Sequence, residues 1–170
     1  MVDNSQPFRD VAYTAWEYDA VAFVSSHGLF QGTGENSFSP KATTSRAMVM
    51  TVLARLAGYD TEGGATWYEK GMAWSVANGV SDGSNPNGAV SREQFATMLY
   101  RYVGSPAVSG SLAGFIDADE ISGYAESAML WAVQNGIMSG KGNGVLDPQG
   151  SATRAELSQM LMNFIVNVME

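Results

Sequence analysis

Three short blocks, Ser45-Arg46-Ala47-Met48, Ser91-Arg92-Glu93-Gln94 and Thr153-Arg154-Ala155-Glu156, decide how this chain folds. Each puts a hydroxyl residue directly ahead of an arginine. Apolar residues then follow three, six, seven and ten positions after that arginine: Val49, Val52, Leu53 and Leu56; Phe95, Met98, Leu99 and Tyr102; Leu157, Met160, Leu161 and Phe164. That spacing lays one apolar stripe along an α-helix. Ser91 with Gln94 and Thr153 with Glu156 also have capping-box spacing, in which the two side chains satisfy each other's otherwise unpaired backbone N–H groups. The first block has Met48 in the reciprocal position and keeps only the hydroxyl half.

Working back from each block, a second pattern recurs around Gly28, Gly79 and Gly136. Twelve residues before the glycine stands Trp16, Trp67 or Tyr124; eight before it Ala20, Gly71 or Ala128; five before it Phe23, Trp74 or Trp131. These offsets fall on one helical face. The glycine follows His27, Asn78 or Asn135 and precedes Leu29, Val80 or Ile137, which is how a helix stops with a left-handed residue and an apolar contact beyond it. A second glycine follows four residues later, as Gly32, Gly83 and Gly140, inside turn-rich loops such as Thr33-Gly34-Glu35-Asn36 and Lys141-Gly142-Asn143-Gly144.

The chain therefore holds three helix-loop-helix copies, at residues 8–58, 66–104 and 115–166, joined by short segments at 59–65 and 105–114. A two-helix unit of this size cannot bury its own apolar face, so the copies are expected to share one core. The predicted fold is all-α: three helix-loop-helix repeats packed as one pseudo-threefold domain. The copies differ. From the first glycine to the arginine is 18 residues in copies one and three but 13 in copy two. Copies one and three carry Phe38-Ser39-Pro40 and Leu146-Asp147-Pro148 in that interval and open with Phe8-Arg9-Asp10 and Phe115-Ile116-Asp117; copy two is read as lacking both elements.

Composition narrows the function. Of 170 residues, 9 are Lys or Arg and 17 are Asp or Glu, a net charge of −8 that argues against binding nucleic-acid backbone. There is no cysteine and a single histidine, His27, so thiolate chemistry, Cys-ligated metals and multi-His sites are excluded; no metal or cofactor is expected. No apolar run reaches the roughly 18 residues of a membrane span, so no membrane insertion is expected, and Met1-Val2-Asp3 opens no signal peptide. The chain reads as a mature fragment or an expressed piece of something longer. Asp117, Asp119 and Glu120 lie in one short acidic stretch of a single copy, which reads as capping rather than as a glycosidase pair. The loop from Asp82 to Gly88 has Pro86 where a calcium loop needs its fifth ligand. No catalytic function is expected.

An opening Phe-x-Asp, an aromatic-led helix, a Gly-hydrophobic-x-x-Gly loop, a Phe-x-Pro element and a Thr-Arg-Ala-Glu helix start together resemble the S-layer homology (SLH) family. Copy three matches best, through Phe115-Ile116-Asp117, Gly136-Ile137-Met138-Ser139-Gly140 and Thr153-Arg154-Ala155-Glu156. The resemblance covers nearly the whole chain. It implies an exported bacterial module that holds a larger surface protein, its cargo domain on the same full-length chain, to the cell wall without a covalent bond. The resemblance also implies three prongs around a central three-helix bundle, and the implied partner is a secondary cell wall polysaccharide, often bearing a pyruvate ketal, taken in grooves between neighbouring prongs. Ser45-Arg46-Ala47-Met48 and Ser91-Arg92-Glu93-Gln94 depart from the full motif, which implies that one or two grooves are weakened or retuned.

Within this frame the candidate glycan-binding residues are Arg46, Arg92, Arg154, Asp10, Asp117, Trp16, Trp67, Tyr124, Gly32, Gly83 and Gly140. The arginines stand one residue inside a helix start, where free N–H groups and the positive dipole end favour an anion and a guanidinium can grip a carboxylate. The alternative is that each arginine only ties its loop down. Asp10 and Asp117 either orient an arginine or accept sugar hydroxyls, or else cap the next helix or close a turn. Trp16, Trp67 and Tyr124 are candidates for sugar stacking or for core, whereas Phe23, Trp74 and Trp131 read as core. The glycines supply unusual backbone angles or close ligand approach. Two rival functions stand beside wall anchoring: a protein–protein assembly module of the surface layer, and an accessory targeting domain of a wall-active enzyme.

Overall fold

The chain, represented by a computed structural model, is described over residues 8–34 and 36–169; Met1-Val2-Asp3 and Glu35 lie outside the described residues. Among those residues there are six α-helices and no strand: α1 Tyr18–Ser26, α2 Arg46–Leu56, α3 Glu69–Ala77, α4 Arg92–Tyr102, α5 Glu126–Gln134 and α6 Arg154–Phe164. A π-helical turn, Ile165–Met169, extends α6, and 3₁₀ turns at Ala118–Glu120 and Gly123–Ala125 lead into α5. None of the helices among the described residues is long and apolar enough to cross a membrane. The all-α reading holds, with two helices per copy.

The predicted starts and stops form for the predicted reasons. Ser45, Ser91 and Thr153 cap α2, α4 and α6 by accepting from the backbone N–H groups of Met48, Gln94 and Glu156. Only Ser91 and Gln94 close the box in both directions. Copy three corrects the expectation, because Glu156 turns its carboxylate to the Thr153 hydroxyl and to Arg92 instead of to the cap backbone. Gly28, Gly79 and Gly136 end the first helices at φ of 68°, 71° and 69°. The N–H groups of Leu29, Val80 and Ile137 return to the carbonyls of Val24, Ser75 and Ala132, at 2.9 Å each, as the Schellman motif requires.

The first helices begin two residues later than the aromatic-led pattern implies. Trp16, Trp67 and Tyr124 precede α1, α3 and α5 and are exposed, while Ala20 and Ala128 are sealed inside and Trp131 joins the core. Phe23 and Trp74 are partly buried against that core.

The close helix pairs cross the copy boundaries: α1 with α6, α2 with α3, and α4 with α5. Each first helix thus lies on the second helix of the preceding copy, taken cyclically. Backbone hydrogen bonds complete the cycle. Val90 N–H donates to Thr44, Ala152 N–H to Val90 and Thr44 N–H to Ala152, at 2.8, 3.0 and 3.3 Å. These residues stand just ahead of the three caps, so α2, α4 and α6 start from one closed ring. Leu53, Leu99 and Leu161, each seven residues after its arginine, are buried to 1% exposure or less. Burial of a leucine side chain stabilises by roughly 1.5–3 kcal/mol.

Candidate functional site

The arginine positions illustrate how one copy is built into the next. A helix start leaves backbone N–H groups unpaired, and here the following copy's loop takes two of them. Arg46 and Ala47 donate to the carbonyls of Gly88 and Pro86; Arg92 and Glu93 to Gly150 and Pro148; Arg154 and Ala155 to Ala42 and Pro40. The caps take a third. The expected anion cradle at these helix starts is therefore already filled by carbonyl oxygens, and only the side chains remain to be considered.

Two of the three guanidiniums are consumed internally. Arg154, 5% exposed, donates from Nε to the Phe38 carbonyl (2.8 Å) and from Nη2 to that of Gln31 (2.6 Å). It also lies 4.6 Å from the ring centre of Phe38 and 5.1 Å from that of Phe30. Burial draws its pKa down from the high arginine value, opposed by Asp10. Arg92, also 5% exposed, donates from Nε to the Leu146 carbonyl (2.9 Å) and from Nη1 to Glu156 (2.6 Å). Arg154 is thus a latch that ties its loop down, the alternative weighed for each arginine. Arg92 is a latch whose surroundings still open on a cleft.

Arg46 differs. Its Nη2 reaches Asp82 at 3.3 Å, a contact with a largely exposed carboxylate, and its Nε is buried without a hydrogen-bond partner. The cause lies in copy two. Pro86 stands six residues before Arg92, as Pro40 and Pro148 stand before Arg46 and Arg154, and each follows a left-handed residue: Ser39, Asn85 or Asp147, at φ of 59°, 47° and 53°. The proline elbow is therefore retained, contrary to the sequence reading. The missing five residues fall between Gly83 and Ser84, so the counterpart of Phe38 and Leu146 is Ser84, and its carbonyl does not meet the arginine.

Asp10 and Asp117 hold the other two elbows. Asp10 accepts from the N–H groups of Phe38 and Ser39 (both 2.8 Å), and Asp117 from those of Leu146 (2.9 Å) and Asp147 (2.8 Å). With both oxygens of each engaged on backbone, the two carboxylates close their elbows. The Leu146 N–H chiefly, helped by that of Asp147, holds Asp117 below the usual carboxylate range; for Asp10 burial pushes the other way and is outweighed by Phe38 and Ser39. A lowered folded-state pKa stabilises above the unfolded value near 4 and is lost as pH falls through the folded value. Denaturant titrations from pH 7 down to pH 2.5 are expected to show Asp10→Asn/Asp117→Asn less stable than the parent at neutral pH and less sensitive to acid. Parallel curves would remove the two carboxylates from this role.

The glycines also have backbone reasons. A Cβ on Gly32 would stand 2.6 Å from both the Phe8 ring and the Ser37 carbonyl, and one on Gly140 2.8 Å from the Val145 carbonyl. Gly83, at φ 76°, would press a Cβ to 2.9 Å from the Val76 side chain. Of the three, Gly140 lines a cleft.

Two clefts carry the site, and each draws on all three copies. The first, about 280 Å³, is lined by Arg46 of copy one, Asp82, Gln94 and Arg101 of copy two and Tyr124 of copy three. The second, about 600 Å³, is lined by Arg92 of copy two, Lys141, Glu156 and Asn163 of copy three and Trp16 of copy one. Trp16 and Tyr124 thus occupy corresponding walls, 64% and 55% exposed. Trp67 is exposed beside Tyr68 and lines neither cleft. Burial and the neighbouring Glu93 raise the Tyr124 hydroxyl above its ordinary pKa, so it stays a donor at neutral pH.

Sequence reasoning missed Arg101, Gln94, Lys141, Glu156 and Asn163 as cleft residues. A signal for most of them was present: positions two, five and nine after each arginine form a second helical stripe beside the apolar one. In α4 this stripe is Gln94, Thr97 and Arg101; in α6 it is Glu156, Gln159 and Asn163.

These features define a class, a helical tandem-repeat module whose clefts lie between copies. The chain belongs to the S-layer homology domain family, which matches residues 7–47 and 114–158; the shortened middle copy lies outside both segments. It is 28% identical to the surface-layer 125 kDa protein of Lysinibacillus sphaericus, over 88% of this chain and 14% of that protein. It is 26% identical to the S-layer protein sap of Bacillus anthracis, over 91% of this chain and 20% of that protein. It is 25% identical to an amylopullulanase of Thermoanaerobacterium thermosulfurigenes, over 96% of this chain and 10% of that enzyme. The chain spans a fifth or less of these relatives. Family membership makes it a cell-wall anchoring module of the bacterial cell surface.

Proposed function

We propose that this module anchors a bacterial surface protein by binding a secondary cell wall polysaccharide, acidic or pyruvylated, in the clefts between copies. The observation that carries the reading is that each of two clefts joins an arginine of one copy, the polar stripe of the next and an exposed aromatic of the third. An aromatic wall beside hydrogen-bonding side chains suits a pyranose, which offers an apolar face and a polar rim. The cargo is a separate domain of a longer chain; S-layer proteins and an amylopullulanase as relatives support an anchor that serves different cargoes.

Two clefts on one module suit a repetitive polymer. A pocket with millimolar affinity supplies about 4 kcal/mol, and linking it to a second on the same polymer raises overall affinity by roughly 10²–10⁴. Cosedimentation with sacculi, before and after the wall polymer is stripped from peptidoglycan, tests the reading. The module is expected in the pellet with intact sacculi and in the supernatant after stripping. Unchanged pelleting after stripping would point to peptidoglycan, and failure to pellet at all would favour the assembly module.

A further inference from the structure

The residue after each of the three arginines is Ala47, Glu93 or Ala155. A carboxylate thus stands in α4 where α2 and α6 carry a methyl group. Glu93 is 3% exposed and, among the described residues, takes part in no salt bridge. A charge buried in this way needs hydrogen bonds to satisfy it, and copy three supplies them. Ser122 donates from its backbone N–H to one carboxylate oxygen (2.9 Å) and from its hydroxyl to the other (2.6 Å), and the Tyr124 hydroxyl lies 3.5 Å from that second oxygen. The two Ser122 bonds are charge-assisted, whereas the Tyr124 contact is at the outer limit of a hydrogen bond. The Tyr124 ring is therefore held chiefly through the backbone two residues ahead of it, in a 3₁₀ turn packed on α4.

Resting on the reading of the clefts as glycan sites, we infer that Glu93 is a positioning residue: it fixes the turn before α5 so that Tyr124 stands as a wall of the smaller cleft. Three observations lead there. Tyr124 lines that cleft and Glu93 does not, so the carboxylate acts on the cleft through the ring. The matching pair for Trp16, the aromatic of the larger cleft, is Thr14 and Ala155, and a methyl group accepts no hydrogen bond. In copy two Ala65 stands in place of Ser122 and gives its N–H to Glu69 of its own copy, and Trp67 lines neither cleft. Of the three aromatics, Tyr124 is thus the one tied to the preceding copy by a carboxylate among the described residues. Its wall is preformed, which spares a ligand the cost of ordering that side chain.

The test is a double-variant cycle on the whole module, read as the concentration that half-saturates intact sacculi. Tyr124→Ala is expected to weaken binding about tenfold. Glu93→Ala, which copies Ala47 and Ala155, is expected to weaken it about fivefold, the cost of ordering one freed side chain. The double variant is expected to bind as Tyr124→Ala alone does, because the carboxylate works through the ring. Losses that multiply, or a Glu93→Ala module that binds as the parent does, would overturn the assignment. Should Glu93→Ala fail to fold, Glu93→Gln keeps an acceptor and is read on ¹³C-labelled tyrosine. Arg46 and Arg101 then face the Tyr124 phenol without the Glu93 charge, so it is expected to titrate at lower pH than in the parent and its ring signals to shift. An unchanged titration with unchanged ring signals would remove Glu93 from this role. A failed cycle with a parent that pellets leaves wall anchoring standing, whereas a parent that stays in the supernatant would remove both.

Discussion

Arg154→Ala is expected to destabilise the module by about 3–5 kcal/mol, lowering its melting temperature by roughly 10 °C. The substitution strips the buried Phe38 carbonyl of its donor, weakens the turn at Gln31 and leaves a void between the rings of Phe30 and Phe38. An unpaired buried acceptor costs about 1–3 kcal/mol, and a desolvated guanidinium on a ring face contributes up to about 2. The same substitution at Arg46 is expected to cost less, because among the described residues its guanidinium has a single partner, an exposed carboxylate at 3.3 Å. Thermal and urea unfolding of both variants would decide it. Equal losses would mean that Arg154 is no latch. The location of that latch adds to its effect, since it joins the last copy to a loop near the start of the chain, so losing it would loosen both ends together.

How much of this was legible in the sequence depended on whether the cause was local. Helix starts at Ser45, Ser91 and Thr153 and stops at Gly28, Gly79 and Gly136 are set by bonds within a few residues, and they stand where the pattern put them. The fates of the three arginines were not legible, because what each meets belongs to the next copy: Phe38 lies 116 residues from Arg154 and Leu146 54 residues from Arg92. Glu156 is a similar case, since its spacing to Thr153 promised a capping box and a guanidinium from copy two outcompeted the cap backbone. The retained elbow at Pro86 was legible and misread. Counting forward from Gly79 displaces it by five residues, whereas counting back from Arg92 aligns it with Pro40 and Pro148.

The elbows also explain why identical helix starts serve different ends. Once the loop of the following copy satisfies the first backbone N–H groups, a guanidinium at the same position is directed towards that loop. If the loop is long, its carbonyl receives the Nε and the arginine becomes internal, as at Arg92 and Arg154. If it is short, no loop carbonyl meets the Nε, as at Arg46. A loop length in one copy thus sets the chemistry of an arginine in its neighbour.

Gly71→Leu is expected to have the largest effect of any single substitution in the first helices, beyond about 3 kcal/mol, because overpacking alone typically costs about 1–3 and here backbone must move. A Cβ on Gly71 would stand 2.7 Å from both the Cα and the Oγ1 of Thr51, so α3 lies against the backbone of α2. Ala20 and Ala128, at the matching places in α1 and α5, accept a methyl group while fully buried. Gly71→Ala sets two terms against each other, a helix-propensity gain of about 1 kcal/mol and the clash, and is expected to come out destabilising. Adding Thr51→Ala removes the hydroxyl contact but not the Cα, so it is expected to restore only part of the loss. A Gly71→Leu module as stable as the parent would mean that α2 and α3 do not cross this closely. The pairing of each first helix with the preceding copy would then be wrong, and with it the placing of Arg46, Arg101 and Tyr124 around one cleft.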